Sequence, residues 1–431
     1  MTYVKSGAGR LGVAAAVALI LVPILAPGSA RATDGYFQNG YGIKSIGMGG
    51  TGIALTDGGM NGATNPATAS FADTQVDLGL YLFVPGRSAS RSDNAFGLNG
   101  EATSSGTLFA IPEFGSVYTV DDRLSVGLTV YGNGGISTAY PGDTIAAGHC
   151  GPGAPASNLL CGPGKLGVSL NQLVIAPTAS YKITPTFSLG VAPQLMVQQF
   201  SAYGLGAFTA LSAAPGNVTD RGFSYSVGGG VRVGAYWEVT PDVSLGLTYQ
   251  TPLYATPFNA YSGLFAGSFD VPGNLGAGIA IHPIPGLTLA ADYERIFYGG
   301  VAAIANSPMS RAPLGTSGGP GFGWNSINVF KVGAAYALTD ALTVRAGFNH
   351  SGNPISSANV TFNILAPALV QNQVSVGATY DITPATQLSV AYVHSFQNSL
   401  SGPTSPLLPG GGVDHISLVE DEVGVAVAFK F

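Results

Sequence analysis

From residue 76 onward the chain repeats one pattern, extended runs in which apolar residues alternate with small or polar ones. Val243, Leu245, Leu247 and Tyr249 alternate with Ser244, Gly246 and Thr248, and Leu124, Val126, Leu128 and Val130 with Ser125, Gly127 and Thr129. The last run is the clearest. Val423, Val425, Val427, Phe429 and Phe431 share one face, and Glu422, Gly424, Ala426, Ala428 and Lys430 share the other. A period of two is that of a β-strand, whose successive side chains point to opposite sides.

Short turns punctuate these runs. Ile183-Thr184-Pro185-Thr186-Phe187, Val239-Thr240-Pro241-Asp242-Val243 and Ile382-Thr383-Pro384-Ala385-Thr386 share one form. Val120-Asp121-Asp122-Arg123-Leu124, Leu338-Thr339-Asp340-Ala341-Leu342 and Pro283-Ile284-Pro285-Gly286 complete the set. Proline presets φ, and Asp or Thr bonds the local backbone, so each unit reverses the chain within a few residues. Between successive turns lie longer excursions rich in Gly, Ser, Asn and Pro. Six tight turns and seven longer loops give about fourteen strands, and tight turns at one end with long loops at the other are the layout of an outer-membrane barrel. The expected fold is all-β, a transmembrane antiparallel β-barrel over 76–431 with both ends in the periplasm.

Composition supports lipid as the cover for the apolar faces. Charged residues are 9% of the chain, against roughly 25% in ordinary soluble domains, and the mean hydropathy is +0.33. No amphipathic helices are available to cover so many one-sided strands. Gly is abundant at 63 of 431 residues but lacks the period of three of collagen. Tyr236, Trp237, Tyr249, Tyr293, Tyr336 and Tyr380 near strand ends suit the aromatic girdles at the two membrane interfaces, a role that core aromatics of a soluble protein would mimic.

Residues 1–32 read as a secretory signal peptide: Lys5 and Arg10, an apolar run over 11–25, then Ala30-Arg31-Ala32 as cleavage site, with Thr33 first in the mature chain. Removing Lys5, Arg10 and Arg31 leaves 16 − 3 = 13 basic against 22 acidic residues, a formal charge of −9. Nucleic acid is therefore not an expected partner. Cys150 and Cys161 lie in one excursion, each followed by Gly-Pro-Gly. An oxidising compartment favours a disulfide between them, with two free thiols as the alternative.

A barrel of about fourteen strands has a lumen wide enough to leak, so it calls for a plug. Residues 33–75 lack a sustained strand pattern. Ile43, Ile46, Met48, Ile53, Leu55 and Met60 make the stretch too apolar for a disordered tail, the competing reading, and point to an internal hatch. Within it, Gly42-Ile43-Lys44-Ser45-Ile46-Gly47-Met48-Gly49-Gly50-Thr51-Gly52, then Asp57, then Asn65-Pro66-Ala67 resemble the N-terminal hatch of the FadL/TodX family of outer-membrane transporters. Asn363-Ile364-Leu365-Ala366-Pro367 looks like a further family feature. The terminal Phe431 is similar to the signal read by the barrel-assembly machinery. The resemblance spans the whole mature chain.

What the resemblance implies is passive uptake of hydrophobic molecules, long-chain fatty acids in the best-known members and aromatic hydrocarbons in others. Ligand would be captured at the extracellular loops and passed to a lumenal pocket. After a hatch rearrangement it would leave sideways into the membrane through an inward kink of the third strand. Gly132-Asn133-Gly134-Gly135 is the candidate kink, because Gly within a strand pattern marks a bulge or close approach. An early start to the following loop is the other reading. Loop 139–167 is a candidate outer capture site.

Strand phase assigns Arg232, Glu238, Lys331, Arg345 and Lys430 to the lumen, since Arg or Lys facing lipid at mid-bilayer costs about 2 to 4 kcal/mol. Arg232, Lys331 and Arg345 are candidates to hold a fatty-acid carboxylate. Ion pairing with Glu238, Asp292 or a hatch carboxylate is the alternative. The histidines, His149, His282, His350, His394 and His415, show no metal-ligand spacing, His394 and Ser395 point to opposite faces, and Gly228-Gly229-Gly230 precedes no helix. No enzyme, metal or cofactor is expected. A general diffusion porin, for which a plug makes no sense, and a structural surface barrel are the competing functions. The readings favour a monomer, although nothing in the sequence encodes oligomeric state.

Overall fold

The computed structural model describes residues 34–431, so the expected signal peptide and Thr33 lie outside the described residues. The alternating runs form fourteen long strands. They are β1 (Gln75–Ser92), β2 (Phe109–Thr119), β3 (Leu124–Ser137), β4 (Gly167–Thr184), β5 (Phe187–Tyr203), β6 (Ser224–Thr240) and β7 (Val243–Gln250). The second half holds β8 (Asn274–Ile284), β9 (Leu287–Ile296), β10 (Ile327–Ala337), β11 (Leu342–Ser351), β12 (Asn372–Thr383), β13 (Thr386–Pro403) and β14 (Val413–Lys430). Two short segments, Gly100–Thr103 on β1 and Tyr254–Ala255 on β6, bring the sheet to 16 strands. The first strand starts at Gln75, one residue before the expected boundary.

Each long strand pairs antiparallel with the next, and β14 pairs with β1 from Gln75↔Lys430 to Ser92↔Val413, which closes the sheet. Closure is what hydrocarbon demands, because an unpaired backbone N–H or C=O has no water to bond there. The tight turns gather at the end that holds Gln75 and Lys430, and the long loops at the other. Leu245, Leu247 and Tyr249 point outward and exposed, as do Val423, Val425 and Phe429. Trp237, Tyr249, Tyr293, Tyr336 and Tyr380 are also outward and exposed. Tyr236 is not a girdle residue. It shares the inward phase of Arg232 and is 3% exposed, with its hydroxyl donating to Ser244 Oγ at 2.9 Å and its ring 4.8 Å from Phe71.

Residues 34–73 pack inside the barrel rather than trailing from it. They form a helix α1 (Ile43–Ile46) and two 3-10 turns, Gly59–Ala63 and Pro66–Phe71. Ile43, Ile46, Met48, Ile53, Leu55 and Met60 are all buried. Barrel-wall glycines let this backbone seat directly on the strands. A Cβ at Gly347 would meet Gly49 N at 2.0 Å, one at Gly246 Ile53 O at 2.1 Å, and one at Gly190 Ala67 N at 2.3 Å. The glycine-rich small faces of the strands are therefore the floor on which the hatch lies.

Candidate functional site

Neighbouring strands β2 and β3 part company along much of their length. β2 and β3 are paired from Thr119↔Ser125 to Phe114↔Val130 and no further. Above that rung Phe109–Glu113 pair only with β1, and β3 continues along β4 alone, with a register shift between Gly132 and Gly134. The two chains meet again where Ser105 N donates to Ala139 O at 2.9 Å. Pro112 sits in the unpaired stretch, where a residue without an N–H to donate is tolerated. An inserted residue in one strand bends it and increases its twist, and Asn133 is that residue here.

The free edge of β3 turns to the hatch. Phe37 bridges to Gly134, Gln38 N donates to Asn133 O at 3.4 Å, and Gly135 N donates to Tyr36 O at 3.2 Å. The Gln38 side-chain amide donates to Gly132 O. Gly134 has to be glycine for this approach, since a Cβ would stand 1.9 Å from Tyr36 O. Gly132-Asn133-Gly134-Gly135 thus lies within β3, not at the start of the loop, and forms the docking edge for residues 36–38.

A row of inward polar side chains runs across six strands by direct register: Asp292, Lys331, Asn349, Gln373, Ser395 and Glu420. The hatch is bonded to it. Asp292 Oδ2 accepts from Gly52 N at 2.7 Å and Ile53 N at 3.0 Å. Lys331 Nζ lies 3.4 Å from Asp34 and 3.3 Å from Glu294. Asn349 donates to Asp34 at 3.2 Å, and Asn39 donates to Gln373 at 3.1 Å. Burial pushes the Asp34 carboxyl up to about 6 from 3.8, with Lys331 pulling the other way.

Arg232, Lys331 and Arg345 are lumenal and buried, but they do not converge on one site. Arg232 donates to Thr64 O of the hatch at 3.1 Å and to Gln250. Arg345 donates to Thr379 at 2.6 Å and pairs with Asp57 at 3.5 Å. Each cation therefore holds a different part of the hatch, through a carbonyl, Asp34 or Asp57. Glu238 and Lys430 lie near the turn end, Lys430 pairing with Asp73 at 3.2 Å.

The motif residues of the hatch have local reasons. Asn65 Oδ1 caps the 3-10 turn by accepting from Ala67 N at 3.1 Å, and its amide donates to Ile53 O at 2.8 Å and to Ala235 O of β6 at 3.1 Å. Pro66 opens that turn, where a missing N–H is no loss. Ala67 O accepts from Ser180 and Ser188, each at 2.8 Å. Gly47 packs on Gly377, and Gly49 (φ 71°) and Gly50 (φ 83°) make the reversal after α1. Phe431 N donates to Thr74 O at 3.0 Å, which fastens the chain end to the strand that it closes against.

Above the hatch, the long loops line a half-open cavity of about 760 Å³. Its wall is apolar: Phe200, Phe208, Phe265, Phe322, Phe362 and Leu407 are among the lining residues. Cys150 and Cys161 are joined by a disulfide, and Cys161 packs beside Leu160, which lines the cavity. Loop 139–167 therefore gives one edge of the cavity while other loops supply most of it. Sequence reasoning missed these residues because loops carry no period, although clusters of Phe in polar loops are a signal it could have used.

Aromatic rings connect the cavity to the wall break. Phe265 and Phe269 are 5.2 Å apart between centroids, Phe269 and Tyr36 6.2 Å, and Tyr36 and Phe37 5.4 Å. Phe37 is the residue bridged to Gly134. Tyr298 and Trp324 pack on Tyr36, and Tyr298 OH donates to Asp34 O at 2.6 Å. The first hatch residues thus fill the space between cavity and break.

A closed barrel with an apolar outer surface, a plugged lumen and an apolar cavity among its loops has the build of an outer-membrane channel. The family model for outer membrane protein transport proteins (OMPP1/FadL/TodX) matches residues 29–257 and 291–405, and the chain belongs to that family. It is accordingly an outer-membrane transport channel and not an enzyme. Among solved structures, the P. putida toluene transporter TodX is 19% identical, with a TM-score of 0.68 over 91% of this chain and 99% of that one. A Pseudomonas aeruginosa FadL homologue is 14% identical, with a TM-score of 0.67 over 92% of this chain and 100% of that one. The Ralstonia pickettii toluene transporter TbuX is 19% identical, with a TM-score of 0.64 over 91% of this chain and 99% of that one. At these identities the likeness concerns the fold alone. No curated protein sequence matches the chain significantly.

Proposed function

We propose that this channel takes up long-chain fatty acids, captured in the loop cavity and released into the outer membrane through the break between β2 and β3. The size of the cavity carries the reading. A cavity of roughly 150 Å³ accommodates benzene, whereas the chamber here measures about 760 Å³ and has an apolar wall. The driving force is the transfer of apolar surface out of water, and sideways release spares the solute a return to it. In this scheme residues 34–38 move off β3 to clear the aromatic route, and membrane lipid receives the product. Phe431 serves barrel assembly, and the barrel works as a monomer.

A second reading, uptake of monoaromatic hydrocarbons, is favoured by the ring series from Phe265 to Phe37 and by the engagement of Arg232, Lys331 and Arg345 with the hatch. Deleting Asn133 separates transport from binding, because it removes the extra residue and lets β3 continue in register. Uptake of radiolabelled oleate and toluene would be compared in cells carrying the wild-type or deleted protein. Oleate uptake lost on deletion, with binding by the purified protein retained, supports lateral release of fatty acid. Toluene uptake alone would favour the second reading. Unchanged uptake of both would refute the route.

A further inference from the structure

The wall of the loop cavity is apolar apart from a few hydroxyls and one charge. Arg311 is the single charged side chain among the described lining residues, on a segment, Met309 to Leu314, that contributes every one of its residues to the wall. That segment is anchored on both sides. Leu314 N donates to Leu211 O at 3.0 Å, Ser310 Oγ donates to Gly318 O at 2.6 Å, and Ala312 N donates to Ser310 Oγ at 3.2 Å. Arg311 itself is exposed and forms no ion pair among the described residues. This sets it apart from Arg91, Lys331 and Arg345, whose charges are already matched by Asp414, Asp34 with Glu294, and Asp57.

We infer that Arg311 is the specificity-determining residue of the capture site, binding the carboxylate of a single-chain amphiphile whose hydrocarbon lies against Phe208, Phe265 and Phe362. A planar guanidinium with its donors free matches a carboxylate through two parallel hydrogen bonds. The neighbouring wall offers no carboxylate to compete and no second cation to favour a more highly charged head. A mono-anion with a long apolar tail is the chemistry that uses both parts of the site. The inference rests on the loop cavity being the capture site, and the experiment treats the two separately.

Full-length protein in lipid nanodiscs, free of detergent that would fill the cavity, is titrated with palmitic acid and with hexadecanol at pH 8. Wild type, Arg311→Gln, Arg311→Lys and Phe208→Ala are compared, with heat-modifiable gel mobility confirming an intact barrel. The expected result is palmitate binding weakened roughly 1.5- to fivefold in Arg311→Gln, a range suited to a solvent-exposed ion pair. Hexadecanol binding stays unchanged, Arg311→Lys keeps most of the preference, and added salt narrows the acid-to-alcohol ratio in wild type only. Phe208→Ala weakens both ligands. If Phe208→Ala weakens both while Arg311→Gln alters neither, or alters both alike, the role given to Arg311 is overturned and the capture site stands. If Phe208→Ala changes nothing, the capture site itself falls, and the inference with it.

Discussion

Replacing Gly347 by alanine should loosen the hatch while leaving the barrel closed. Gly347 lies in β11, opposite Gly333 and Ser375, and in strand terms alanine there is unremarkable. Across the lumen it is not. The new Cβ would stand 2.0 Å from Gly49 N, 2.1 Å from the Met48 carbonyl carbon and 2.7 Å from Gly49 Cα, all backbone atoms that cannot swing aside. Overpacking of this kind costs about 1–3 kcal/mol. The displaced Gly49 N also gives up its 2.8 Å bond to Ser375 Oγ, worth about 1 kcal/mol. A sum of roughly 2–4 kcal/mol, at about 1.4 kcal/mol per decade, raises local opening of residues 47–52 by about 30- to 700-fold. Hydrogen exchange of the peptide covering 47–52 in nanodiscs reads this directly, with exchange in β11 and heat-modifiable mobility as controls for the wall. Planar-bilayer recordings should show more frequent openings. Unchanged protection of 47–52 in a correctly closed barrel would refute the claim that the hatch backbone is seated on the strand glycines.

Asn65→Ala removes a turn cap and two buried amide donations, so exchange of 53–70 should rise by an amount matching about 1–3 kcal/mol of lost local stability. The N-terminal hatch residues should also respond to pH. Asp34 has a docked value of about 6 against 3.8 when free, so docking binds a proton between those values. Its stabilisation is full below pH 3.8 and lost as pH rises through 6, which makes residues 34–38 looser at pH 7.5 than at pH 5, and Asp34→Asn should flatten the dependence. Exchange rates corrected for intrinsic pH effects decide the matter. Lys331→Met leaves Asp34 and Glu294 facing each other without their cation and should destabilise hatch docking by about 3–5 kcal/mol, visible as raised channel conductance. Replacing both Cys150 and Cys161 by serine should speed proteolysis of loop 139–167 without lowering the barrel melting temperature, because the bond spans only 11 positions of one external loop.

The sequence was legible wherever local chemistry decides. A period of two names the strands and their outward face, and Pro, Asp and Thr turns name the end at which they reverse. The arithmetic of turns and loops therefore reached the strand number, and phase alone sent Arg232, Lys331 and Arg345 inward. Phase cannot say what an inward side chain meets. The three cations were candidates for a carboxylate ligand by chemistry, yet their contacts lie with Thr64, Asp34 and Asp57 of the hatch. Tyr236 is a different case, in which phase carried the answer and residue type misled. Its type suited the interface, but its even position beside Arg232 put it within.

What the sequence by itself determined is a closed, lipid-facing barrel with an apolar N-terminal stretch left over to fill it. Alternation and turn chemistry act over a few residues and need no distant partner. Only the tertiary structure decided where the hatch sits, which wall glycines receive it, where β2 and β3 part, and which loop residues join around one cavity. The physical reason is range. Asp34 meets Asn349 across a separation of 315 residues, and that meeting exists only because Gln75 pairs with Lys430 to close the ring. Closure fixes the register of every strand at once, and with it the identity of each pair that faces across the lumen.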